Sequence, residues 1–263
     1  MKTFMSASLW ILATTLMLST PMTAQADDDL VAELRIYTTN EGKLPDLLKR
    51  FREHTCSLFE KHGMMNVGYW VPLDKADGAD NTLIYIIAHK SREAAKASWA
   101  AFIADPEWKA VAKASEASGK ILAKKPESIF MKLTDFPPTH LKRGSSTEPR
   151  VFELRTYHTP EGKLPDLLKR FSEHSCELFD KHGITNIGYW VPTDAEQGSG
   201  NTLIYILAHP SKEAGLKNFA AFRDDPDWKQ AKAASESNGP LTLPGKEGVK
   251  SVYMQAVDFS PIK

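Results

Sequence analysis

Cysteine is scarce in this chain: Cys56 and Cys176 are the only two, too few for the disulfide scaffold that holds small exported domains together. An excess of charge of either sign is missing as well. Lys and Arg number 33, as do Asp and Glu, and no long basic run occurs, which excludes nucleic acid and an anionic membrane surface as partners. Past Pro21 no apolar stretch reaches the roughly 20 residues that span a bilayer. The spacings H-E-x-x-H, H-x-x-x-H and C-x-x-C are all absent, so no metal site is predicted.

What is present begins at the N-terminus. Lys2 precedes an uncharged apolar run from Phe4 to Leu18, then come Ser19, Thr20 and Pro21, then Ala24-Gln25-Ala26 before three aspartates. That order reads as a secretory signal over 1–26 with cleavage between Ala26 and Asp27. The expected product is secreted or periplasmic and does not span a membrane.

Self-comparison organises the remainder. EGKLPDLLKRF at 41–51 returns at 161–171, NTLIYI at 81–86 returns at 201–206, and GYWVP at 68 returns at 188. SIFM at 128 answers SVYM at 251 with extra residues between Gly239 and Gly248, and insertions in loops cost little. Two repeats follow, 27–136 and 151–263, joined by a Pro-, Gly- and Ser-containing linker over 137–150.

Each repeat reads as β-α-β-β-α-β. Residues 32–38 alternate with period two, as a strand with two unlike faces does. Pro45 suits a first helical turn, and apolar residues continue at spacings of three and four until Gly63 stops the helix. Residues 66–71 and 82–89 form a hairpin, a helix follows Ser91, Asp105-Pro106 restarts another, and 128–133 closes the repeat as a strand. A four-stranded sheet with helices on one face leaves the other bare, and the second repeat is the nearest cover. The expected fold is therefore α+β, two ferredoxin-like repeats packed sheet to sheet as an intramolecular pseudo-dimeric α+β barrel. Whether that pair assembles further is left open.

Several motifs recur in both repeats: Glu33-Leu34-Arg35 with Tyr37, His62-Gly63, Gly68-Tyr69-Trp70, Ala101-Phe102, Asp105-Pro106 and Trp108, then Glu153 to Arg155, Tyr157, His182-Gly183, Gly188 to Trp190, Ala221-Phe222, Asp225-Pro226 and Trp228. In combination they resemble the NIPSNAP family, as tandem domains covering nearly the whole mature chain. The resemblance implies the dimeric α+β barrel superfamily, other families of which are cofactor-free monooxygenases, haem-degrading enzymes or stress-linked ligand binders. NIPSNAP members carry no securely assigned catalytic residues. Their better-known animal representatives are mitochondrial, a location from which this chain departs by its signal.

The first strand supplies the candidate chemistry. With Leu34 and Ile36 turned to the helices, Glu33, Arg35 and Tyr37 would face the other repeat, joined there by Tyr85 and His89. Glu153, Arg155, Tyr157, Tyr205 and His209 are their counterparts. Two readings stand: a buried Glu–Arg pair that sets the register of the halves, or the polar floor of a pocket for a small apolar or aromatic ligand, with arginine forks gripping a carboxylate. His89 and His209 are candidates for proton transfer or for an axial haem ligand, although no cofactor is predicted. His62 and His182 suit a helix terminus. Counting about 100° per residue from Phe51 turns Cys56, and likewise Cys176, away from the core as a free thiol. Trp70, Trp190, Phe102, Phe222, Trp108 and Trp228 read as packing anchors. The function expected is that of an exported binding module, with a monooxygenase-like or haem-binding barrel as the alternative.

Overall fold

The computed structural model describes residues 30–136 and 149–263. The expected signal over 1–26, the expected cleavage at Ala26–Asp27 and most of the linker lie outside the described residues.

The first repeat opens with strand β1 (Val31–Thr38) and helix α1 (Leu44–Arg50), which has Pro45 in its first turn. A π-helical segment over Phe51–Thr55 joins α1 to α2 (Cys56–Lys61). Gly63, at φ +78°, takes the left-handed conformation that ends the helix. Strands β2 (Met65–Pro72) and β3 (Thr82–His89) form the hairpin. Helix α3 (Arg92–Ala104) is capped by the Ser91 hydroxyl, and α4 (Pro106–Ser115) by the Asp105 carboxylate accepting from Glu107 N–H at 2.8 Å, before β4 (Glu127–Leu133). The second repeat follows the same course: β5 (Val151–His158), α5 (Leu164–Arg170), a π segment Phe171–Ser175, α6 (Cys176–Lys181), β6 (Thr185–Pro192), β7 (Thr202–His209), α7 (Lys212–Asp224) and α8 (Pro226–Ser235). Its extra residues lead into the single turn α9 (Gly245–Gly248) ahead of β8 (Val249–Ala256). No helix among the described residues is long and apolar enough to cross a membrane.

All eight strands close into one antiparallel barrel in the order β1-β3-β2-β8-β5-β7-β6-β4. Each repeat's last strand lies between its own first strand and the second strand of the other repeat. The two seams are short, with Trp70 opposite Ala256 in one and Leu133 opposite Trp190 in the other, and their closure leaves no open edge. Further contacts cross between repeats: Arg92 pairs with Asp194 at 3.0 Å and Lys212 with Asp74 at 2.7 Å. Phe136 packs on Tyr189 and Phe259 on Tyr69, each in the other repeat's helix–sheet core.

The barrel interior corrects the expected assignment of faces. Ala32, Leu34 and Ile36 point inward with Trp70, Ile84, Ile86, Met131, Phe152, Trp190 and Met254, forming a core without a charged side chain. Glu33, Arg35 and Tyr37 therefore lie on the outer face, beneath the helices. The reason is hydrogen bonding: the interior offers these groups no partners, whereas the helix layer supplies them, and a buried charge without partners is costly. Inside, Gly68 makes room for the Trp70 ring, since a Cβ there would sit 2.2 Å from its six-membered edge.

The cysteines require a second correction. Cys176 is buried in the second helix–sheet core and Cys56 packs against the first. The π segment is the cause. In it the Cys56 N–H bonds to the carbonyl of Phe51, five residues back, and this extra residue rotates the thiol toward the sheet. Both thiols are free, as expected, and burial pushes both up to about 11.

Two outcomes follow. Residues 27–140 made alone will self-associate in sedimentation, and a well-behaved monomer would contradict the closure. Gly68→Ala will lower stability by about 1–3 kcal/mol through overpacking against Trp70, read by chemical denaturation.

Candidate functional site

Between the outer face of the sheet and the helices lies a buried polar cluster, present once in each repeat. Glu33 is its centre, only 1% exposed. Its carboxylate accepts from Arg35 Nη1 at 2.5 Å, Ser128 Oγ at 2.6 Å, Trp99 Nε1 on α3 at 2.8 Å and His89 Nε2 at 3.0 Å. Burial alone would raise this carboxyl, yet the donors His89, Arg35, Ser128 and Trp99 outweigh it and hold the group down to about 2. The Arg35 guanidinium lies 4.3 Å from the centre of the Trp99 ring and touches the Tyr37 hydroxyl. Burial opposes its charge, but Tyr85, Tyr37 and Glu33 more than compensate and raise it.

In the second repeat Glu153 accepts from Arg155 Nη1, from Ser251 Oγ at 2.5 Å and from His209 Nε2 at 3.0 Å. Arg155 also donates to Tyr205 at 2.9 Å and Tyr157 at 3.1 Å. The ten residues singled out from the sequence thus gather as two groups of five, one per repeat, rather than as one lining shared by both. Ser128, Ser251 and Trp99 were missed. Trp99 is the informative omission, because Phe219 stands at the corresponding position of α7 and brings no N–H to Glu153.

Phe219 also lines a cleft. Under α7 and α8 of the second repeat a cavity of about 360 Å³ is walled by Phe219, Phe222 and Trp228, floored by Arg155 and Tyr157, and flanked by Lys232. A second cavity of about 360 Å³ adjoins it, shares Tyr157, Phe222, Trp228 and Lys232, and runs past Arg170 to the 240–245 segment. Glu153, Tyr205 and His209 lie behind the lining. His209 and His89 are sealed at 1% and 0% exposure, with each Nδ1 lacking a partner.

A further histidine pair, His62 with His182, is structural. The backbone N–H of His62 caps α2, and its Nε2 lies 2.7 Å from Asp105, the residue that caps α4; His182 repeats this with Asp225. Lys61 and Lys181 join the same carboxylates and, with the imidazoles, hold both well below the usual range. The helix terminus expected of these histidines is a junction between two helices. Among the described residues no three His, Cys, Asp or Glu side chains converge on a point where a metal would sit.

The Glu33 cluster has a definite pH signature. Its carboxyl is depressed by folding, so its stabilisation is complete above the ordinary value of 4.5 and is lost as pH falls toward about 2. Glu33→Gln will reduce the slope of thermal stability across that window and cost about 3–5 kcal/mol at neutral pH. Melts recorded from neutral to acid pH measure both effects.

The NIPSNAP family model matches residues 32–138 and again 152–249. The Protein NipSnap homolog of Dictyostelium discoideum is 23% identical over 208 residues, covering 79% of this chain and 82% of the relative. Among solved structures, an anthrone oxidase-like protein superposes at a TM-score of 0.58 with 15% identity, covering 89% of this chain and 94% of that one. An uncharacterized NIPSNAP domain protein from Burkholderia xenovorans is 23% identical, with a TM-score of 0.35, over 41% of this chain and 98% of that one. The structural likeness to the anthrone oxidase-like protein is one of α+β barrel fold. The sequence match in both repeats carries the family, and the chain belongs to the NIPSNAP family as a tandem protein with two copies of the domain.

Proposed function

We propose that this protein is an exported binding module whose two ferredoxin-like repeats form an intramolecular pseudo-dimer, and that the cleft of the second repeat takes a small anionic compound with an aromatic or apolar body. One observation carries the reading: Arg155 lies in the floor of a cleft walled by Phe219, Phe222 and Trp228. Aromatic walls with one fixed polar group are the usual make-up of a small-molecule site. The guanidinium suits a carboxylate, and Arg223, Lys229 and Lys232 in the same lining add positive potential.

Oxygenase chemistry has only likeness of fold in its favour. The cleft lining includes no histidine, and its carboxylate Glu236 is held by Arg170 at 2.8 Å, while His209 lies behind the wall, bound to Glu153. The same sealing removes His89 and His209 as axial haem ligands, so the reading assigns no haem to this cleft.

The test uses 1-naphthoate, an aromatic monoanion, titrated calorimetrically into residues 27–263. Arg155→Met and Phe219→Trp will each weaken binding by about tenfold or more, whereas Arg35→Met in the first repeat will leave it unchanged. Phe219→Trp adds bulk to the cleft wall and leaves the charges in place. Unaltered affinity in both second-repeat variants would overturn the assignment.

A further inference from the structure

On the outer surface, away from the cleft of the second repeat, α1 and α4 leave a groove between them in the first repeat. Its volume is about 560 Å³, and its lining includes Lys49, Arg50, His54, Val111, Ala114 and Ser115. The corresponding groove between α5 and α8 has the matching residues but only about 290 Å³. Arg50 and Arg170, at the C-terminal ends of α1 and α5, are the buried charges in these grooves, 5% and 4% exposed. Each rests over a tryptophan ring, Trp108 at 5.3 Å and Trp228 at 5.1 Å.

Their partners differ. Arg170 Nη1 holds the Glu236 carboxylate at 2.8 Å, a full charge-assisted hydrogen bond. Arg50 Nη1 comes no nearer than 3.8 Å to Glu116, which reaches instead toward the Ile121 N–H, and its other contact is a weak one to Ser115 Oγ at 3.4 Å. The Nε of Arg50 has no acceptor, and neither has that of Arg170, so the two repeats differ in the carboxylate contact alone. Burial pushes Arg50 down from its ordinary value. A buried guanidinium with so little compensation is expensive to maintain. The arginine also stands immediately before the π segment that carries Glu53 and His54 into the groove wall, and such segments recur at functional sites.

We propose that the groove of the first repeat is a binding site for a small organic monocarboxylate, whose carboxylate takes at Arg50 the position that Glu236 holds at Arg170. The Arg170–Glu236 pair gives the geometry such a carboxylate would take, at the place from which the corresponding Glu116 stands 3.8 Å off. The planar fork of Arg50 matches a carboxylate. Ala110, Val111 and Ala114 offer an apolar wall for a short alkyl body. Asp46 and Glu53 at the same groove oppose a multiply charged anion such as phosphate, and Asp46 is itself tied to Lys43 at 3.0 Å.

The groove of the first repeat shares no residue with the aromatic cleft, while Arg170 and Glu236 of the second repeat also line the cavity adjoining that cleft, so the displacement of His54 is the readout that separates the two sites. Residues 27–263 are titrated with hexanoate while the imidazole proton resonances of His54 and His174 are followed; no histidine lines the cleft. The expected result is a saturable displacement of His54 alone. Arg50→Gln will weaken it about tenfold or more. Ala114→Phe, which fills the groove and leaves the buried arginine intact, will do the same. Glu236→Gln, by releasing Arg170, will bring in a second displacement at His174. A His54 resonance that stays still at about 10 mM hexanoate, that moves equally with inorganic phosphate, or that moves undiminished in folded Ala114→Phe protein overturns the proposal.

Discussion

Everything in this structure depends on one surface that cannot be left in water: the inward face of each four-stranded sheet. In the first repeat that face carries Ala32, Leu34, Trp70, Ile84, Ile86 and Met131, and in the second Phe152, Leu154, Trp190, Ile204, Ile206 and Met254. Neither set is covered by its own helices. Closure of β2 on β8 and of β4 on β6 buries both at once, and the hydrophobic driving force scales with the area so removed. The seams are short, but the repeats also insert into one another through Phe136 and Phe259.

Closure dictates where chemistry can reside. A barrel filled with Trp70, Trp190 and aliphatic side chains has no role for Glu33, Arg35 or their counterparts, so the alternating strand sends them outward. There they meet donors from α3, β3 and β4, and the carboxylate becomes the hub of a satisfied network. Duplication then frees each repeat to diverge. Trp99 and Phe219 both lie over the arginine of their repeat, but only Trp99 donates to the glutamate, while Phe219 lines a cleft; Glu236 closes on Arg170 in the second repeat, while Glu116 stands off from Arg50 in the first. The two repeats thus differ at two places with opposite sense, on a common frame.

Much of that frame was legible in the residues. The repeat, the strand limits of 82–89, the Asp105-Pro106 restart and the glycine stop at Gly63 are local signals, and each appears where the pattern locates it. The candidate residues of each repeat lie beside one another, since period two and the strand pairing of Arg35 with Tyr85 bring them together. Their direction was not legible. Alternation separates two faces without saying which is inner, and the nearly continuous apolar run of β3 does not arbitrate. The deciding groups, Trp99 and Ser128, are distant in sequence from Glu33. The thiols were misdirected for a different reason: a single residue's excess within a helix, at Phe51–Thr55, hardly disturbs a spacing of three and four, yet it rotates everything after it.

The central claim is that the two repeats are halves of one closed barrel within a single chain. Nuclear Overhauser contacts across the seams test it most directly, in dilute protein shown to be monomeric. The account predicts backbone contacts between Trp70 and Ala256 and between Leu133 and Trp190, with intensities like those of pairs inside a repeat, such as Leu34 with Ile86. Strong contacts within each repeat together with none across either seam would describe two separate domains, and would contradict it.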